Sequence, residues 1–139
     1  EAAAFFERAI AADSNQAAPF YLAADVLLKR ATPDTARIEK YLARAVELDP
    51  ALASARLALG KLHVRAERWT QAAEQLEHAV RLDPNFAEAH YQLALVYRRL
   101  KRTSEAQAAL DSFKRLNKTH EEKDKERREL VRRLADVRF

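Results

Sequence analysis

The sequence predicts an all-α fold on three counts. Of its 139 residues, 29 are Ala and 18 are Leu, both strong helix formers. It holds a single glycine, which argues against an all-β fold with a tight primed turn at every hairpin and against a glycine-rich phosphate loop. And two different helical patterns alternate along the chain with a period of 34 residues.

The periodicity justifies the elements one by one. KYLARAVELDP (residues 40–50) returns as EQLEHAVRLDP (74–84), which sets Leu42 against Leu76, Ala45 against Ala79 and Pro50 against Pro84. A third copy carries the register through Leu110 and Leu116. Ahead of each lies a second kind of stretch: APFYLAADVLLKR (18–30), ASARLALGKLHVR (53–65) and AEAHYQLALVYRR (87–99). Small residues recur at Ala24, Gly60 and Ala94, a size that lets two helices cross closely. A second close-approach set is Ala2, Ile38, Ala72 and Ala106; larger apolar residues at Phe6, Leu42, Leu76 and Leu110 fill the gaps. Pro50 and Pro84 disfavour α conformation in the residue before them and so end a helix.

This pattern resembles the tetratricopeptide repeat (TPR) family, and the resemblance covers nearly the whole chain. It implies a right-handed α-solenoid of antiparallel helix hairpins. The map is a leading half repeat at residues 1–12, full repeats at 16–49, 52–83 and 86–117, and a C-terminal helix at 119–137. A stack that opens on half a repeat leaves Ala2, Phe5, Phe6 and Ala9 without a neighbour, so the chain is expected to be a piece of a longer protein. Two departures stand out. Two extra residues fall near 30–35, where Thr32 and Pro33 read as an N-cap and first helical residue. Phe113 takes the place of Ala45 and Ala79, a bulk that suits a different neighbour and ends the array. Thr119 with Glu122 then reads as a capping box opening the last helix. Its stripe of Leu130, Val131, Leu134 and Val137 would pack on Phe113 and Leu116, or belong to a projecting, partner-binding arm.

Composition excludes much chemistry. With no cysteine there is no disulfide, thiolate metal site or cysteine nucleophile. The histidines His63, His78, His90 and His120 show no i, i+4 pair, so no zinc helix and no metal site is expected. His63 and His90 take positions that suit half-buried packing. Ser14, Ser54, Ser104 and Ser112 lack a strand–turn–helix elbow, and the acidic pairs lie on polar faces. The expectation is no enzyme and no cofactor. No uncharged run approaches the roughly 20 residues needed to span a bilayer, so no membrane segment is expected. A soluble chain follows, with cytoplasm as the default compartment and a secreted or periplasmic one left open. Residues 98–139 carry 14 basic and 8 acidic side chains, against 11 and 13 in residues 1–97. The basic residues are interleaved with Glu126, Glu129 and Asp136, which argues against a nucleic-acid partner.

What the resemblance implies about function is a protein or peptide partner held in the concave groove. The family's ligand-contact positions fall on Tyr21, Asp25, Leu57, Lys61, Arg65, Tyr91, Leu95, Arg98 and Arg99, with Ala18, Leu28, Lys29, Ser54, Val64 and Glu88 alongside. Tyrosine and leucine offer apolar area, and the cations suit carbonyls or carboxylates of a peptide. The family's clamp for C-terminal carboxylates would fall on Tyr21, Asp25, Ala58, Glu88 and Gln92; none fits, so acidic tails of that kind are not expected to bind. The alternative function is an assembly or spacer segment that self-associates through its terminal helices.

Overall fold

The computed structural model describes residues 2–137, and among them the chain is helical with no strand. α1 (Ala2–Ala12) lies on α2 (Ala17–Leu28). Three antiparallel pairs follow: α2 with α3 (Thr35–Leu48), α4 (Ala53–Arg65) with α5 (Trp69–Leu82), and α6 (Ala87–Arg99) with α7 (Thr103–Ala135). Each pair rests on the next through α3–α4 and α5–α6, while α2, α4 and α6 stand side by side. The result is an α-solenoid.

Local chemistry sets the turns. The carboxylates of Asp13, Asp49 and Asp83 accept from the N–H of Asn15 (3.0 Å), Ala51 (3.1 Å) and Asn85 (3.1 Å), the same Asx turn at each passage between repeats. Asp49 and Asp83 are extended, as a residue before proline prefers. Within the second and third pairs, Glu67 and Lys101 turn the chain with φ of 57° and 60°. Left-handed backbone at a non-glycine residue costs about 1 kcal/mol. The turn recovers hydrogen bonds from Arg68 N–H to the His63 carbonyl and from Arg102 N–H to the Tyr97 carbonyl, both 2.9 Å.

The small–large code fills the interior. Ala24, Ile38, Leu42, Ala45, Ala72, Leu76 and Ala79 are essentially without solvent contact. A Cβ added to Gly60 would lie 2.5 Å from the Leu76 Cγ, which marks the α4–α5 crossing as the place where only hydrogen fits. The same positions at the two ends are open: Ala2 is exposed, and Phe6, Ala9, Ala106 and Leu110 are half-buried. Phe5 is 61% exposed.

Two sequence expectations are corrected. Thr32 is not the cap of α3; Asp34 is, accepting from the Arg37 N–H at 3.2 Å, and the helix begins at Thr35. The carboxylate of Asp34 sits three residues ahead of Arg37, where a cap reaches its donor, and Pro33 stays in the connection. Nor does a new helix open at Thr119. α7 runs unbroken over 33 residues, and the Thr119 hydroxyl donates back to the Arg115 carbonyl at 3.0 Å instead of capping. Lys118 stands where Pro50 and Pro84 stop the earlier helices, so nothing removes a donor or excludes α conformation there. The stripe on α7 therefore does not fold back onto Phe113 and Leu116. Leu130, Val131 and Leu134 are 56%, 60% and 64% exposed on a projecting arm.

Candidate partner-binding face

The groove residues come from the side-by-side helices α2, α4 and α6. Several of their charges are already spent within the protein. Lys61 Nζ donates to Glu88 Oε1 at 2.8 Å, tying α4 to α6. Arg65 donates to the Leu28 carbonyl at 3.1 Å, satisfying the end of α2. Lys29 donates to Asp25 at 3.1 Å. Burial, and then the neighbouring Asp25 carboxylate, push the Tyr21 hydroxyl above its ordinary range, opposed by a hydrogen bond with Ser54. Tyr21 is half-buried at the α2 end of the face.

Two predicted site residues belong elsewhere. Leu57 is 6% exposed and belongs to the core cluster that α4 shares with α5 and α6. Arg99 lies over the Trp69 ring, 5.3 Å from its centroid, a cation–π contact on α5. Tyr91, Leu95 and Arg98 do come together. With Ala94 on α6 and Thr103, Ala106, Gln107 and Leu110 on α7, they line a cleft of about 310 Å³. Tyr91 is 41% exposed and its ring meets Phe113 at 5.1 Å. Thus the aromatic that replaces alanine in the last repeat props up a groove tyrosine. Gln107 and Leu110 are wall residues; the sequence presented Leu110 as interhelical packing only, and Gln107 carried no signal. The half-buried state of Leu110, where Leu42 and Leu76 are covered, is the feature that distinguishes it.

The opposite side of α6 holds a structural cluster. Tyr97 donates to Glu77 at 2.8 Å, and the Arg102 guanidinium lies 4.6 Å from the Tyr97 ring centroid while its Nη2 donates to Glu105 at 2.6 Å. Burial first and the Glu77 hydrogen bond next hold the Tyr97 hydroxyl well above the ordinary phenol range, so it stays protonated. His63 is buried; burial first and Arg68 next lower its pKa, as a packing histidine would show. His90 bonds the Pro84 carbonyl at 2.8 Å across the repeat junction. Among the described residues no group of three or more His, Asp or Glu is placed to hold a metal, and no helix is long and apolar enough to cross a membrane.

A tetratricopeptide repeat family model matches residues 57–120. No curated protein matches the sequence closely enough to count as a relative. Among solved structures, MamA 41-end from Desulfovibrio magneticus RS-1 is similar with a TM-score of 0.73 and 23% identity, over 84% of this chain and 65% of that one. YrrB, described as a TPR protein with an unusual peptide-binding site, gives 0.71 and 26% over 85% and 60%. The second TPR of Spaghetti (RPAP3), solved with the HSP90 peptide SRMEEVD, gives 0.69 and 17% over 73% and 92%. The chain thus spans less than two thirds of the length of the MamA and YrrB chains. Residues 57–120 match the tetratricopeptide repeat model by sequence, and the chain as a whole has the tetratricopeptide-repeat fold.

Proposed function

We propose that this chain is a non-catalytic interaction module that holds a peptide or helix of a partner protein on its concave face, with the seat centred on α6 and α7. The observation that carries this reading is the cleft itself: Tyr91, Leu95 and Leu110 offer apolar area beside Arg98, which makes no ion pair among the described residues. An exposed aromatic next to an unspent arginine is the composition that dominates binding energy at protein interfaces. Two structural neighbours are described as peptide binders, which supports the class of partner without naming it. Lys61, expected to face the ligand, is held by Glu88, and Arg65 by the Leu28 carbonyl, so they act on the partner less than Arg98 does. The test is a pull-down comparing the chain with a Tyr91→Ala, Arg98→Glu double variant of unchanged melting temperature. Loss of the retained partner supports the assignment; unchanged retention sinks it.

A second reading, self-association, is favoured by the exposure of Phe5 at one end and of Leu130, Val131 and Leu134 at the other. Light scattering distinguishes the two. A concentration-dependent dimer abolished by Leu130→Lys with Leu134→Lys would favour assembly, and a monomer at all concentrations would remove it.

A further inference from the structure

The projecting half of α7 carries one seam. Phe113 and Leu116 open it, half-buried at the edge of the repeats, and Leu130 and Leu134 close it, exposed. Between them lie His120, Lys123 and Arg127, and the steps along the seam alternate between three and four residues on a helix without a break. This is the a and d spacing of a two-helix coiled coil. The charges around the seam are sorted. Residues 121–126 carry four acidic and two basic side chains, and residues 127–133 carry four basic and one acidic. Asp124 holds its own Arg127 only at 3.9 Å, and Lys123 and Glu126 have no ion-pair partner among the described residues. The seam cannot close on itself, because 18 residues of helix hold Leu134 about 27 Å from Leu116 at 1.5 Å per residue.

We infer that the projecting halves of α7 from two copies of this chain pair antiparallel about a twofold axis at Lys125, so that Leu134 of each arm covers Leu116 of the other. The inference rests on the second reading above, self-association, and gives it a site, a partner and an orientation; the concave face stays free. A second copy is the occupant because the arm carries its own complement. Reversing one arm on the other lays Leu134 on Leu116 and Leu130 on His120 at both ends of the seam at once, as an isologous contact requires. At the axis Lys123 and Arg127 of the two copies face each other, and the holes that receive them are flanked by carboxylates: Arg127 enters beside Asp124 of the second copy and Lys123 beside its Glu126. Four cations thus meet four carboxylates. A parallel pair loses this balance. It would set Lys123 on Lys123 and Arg127 on Arg127, and place Asp124 and Glu126 beside the uncharged Thr119 and Val131.

Because the sequence has no cysteine, single thiols report the pairing. The full chain carrying Leu116→Cys and the full chain carrying Leu134→Cys are treated with a short bis-maleimide, separately and mixed. In the antiparallel pair unlike thiols adjoin, while like thiols stand about 27 Å apart along the axis. The expected result is a covalent dimer from the mixture in about tenfold greater yield than from either variant alone. Melting temperature checks both variants; if Leu116→Cys disturbs the repeats, the exposed positions His120→Cys and Leu130→Cys take over the same comparison. Sedimentation equilibrium of the unaltered chain should show a micromolar monomer–dimer equilibrium. Lys123→Glu with Arg127→Glu, which leaves every seam leucine in place, should weaken it about tenfold. A monomer at all concentrations overturns the inference together with self-association. A dimer in which each thiol variant cross-links to itself, or which the charge variant leaves unchanged, overturns the antiparallel arm pair while self-association through another face stands.

Discussion

Gly60 and Leu76 show what a single position decides in this fold. A methyl group at Gly60 would sit 2.5 Å from the Cγ of a leucine that is fully buried. Gly60→Ala gains about 1 kcal/mol in helix propensity but overpacks the crossing by roughly 1–3 kcal/mol. The expected outcome is a net loss of about 1 kcal/mol, read as a lower denaturation midpoint at constant slope. His63 makes a second residue-scale prediction. Its ring is buried with Nδ1 unpartnered, and its pKa lies below the ordinary 6.5. Below pH 6.5 the unfolded chain therefore binds a proton that the native chain refuses, so stability falls as pH drops through that range and levels off once the native ring also protonates. His63→Leu should flatten this slope between pH 7 and 5; an unchanged slope would show that His63 is not its source.

At the scale of elements, the hairpins were legible because their code is written by side-chain size, repeated at 34 residues: Ala45 and Ala79, Leu42 and Leu76, Pro50 and Pro84 each occupy equivalent buried or junction places. The end of the array was not legible, since Thr119 and Glu122 make a locally plausible cap that loses to helix continuity when no proline interrupts it. The projecting part of α7 is carried by pairs along its own surface, such as Arg133 with Glu129 at 2.8 Å. Lys118→Pro would restore the stop found at Pro50 and Pro84. Far-UV circular dichroism should then lose helical signal from residues beyond 118, while the melting transition of the repeats stays within a few degrees. No loss of signal would mean that the arm helix nucleates independently of the repeats.

Across the whole molecule, the packing that closes the two interior hairpins is the same packing that leaves the ends unfinished. Of the candidate site, Tyr91, Leu95 and Arg98 were readable from their register on α6. The removal of Leu57 into the core, of Lys61 onto Glu88 and of Arg99 onto Trp69 was not, because each depends on which neighbour stands across from it in space. Leu110 was hidden for the opposite reason: it holds the same register position as Leu42 and Leu76, and it differs in having no covering helix among the described residues. Because the sequence contains no cysteine, one thiol at a time can report this asymmetry. The direct measurement compares native-state labelling of Leu76→Cys and Leu110→Cys by a small thiol reagent. Labelling at Leu76→Cys should be limited by global unfolding, and at Leu110→Cys it should approach the rate of a partly exposed thiol. Equal protection at the two positions would contradict the open face on which the functional reading stands.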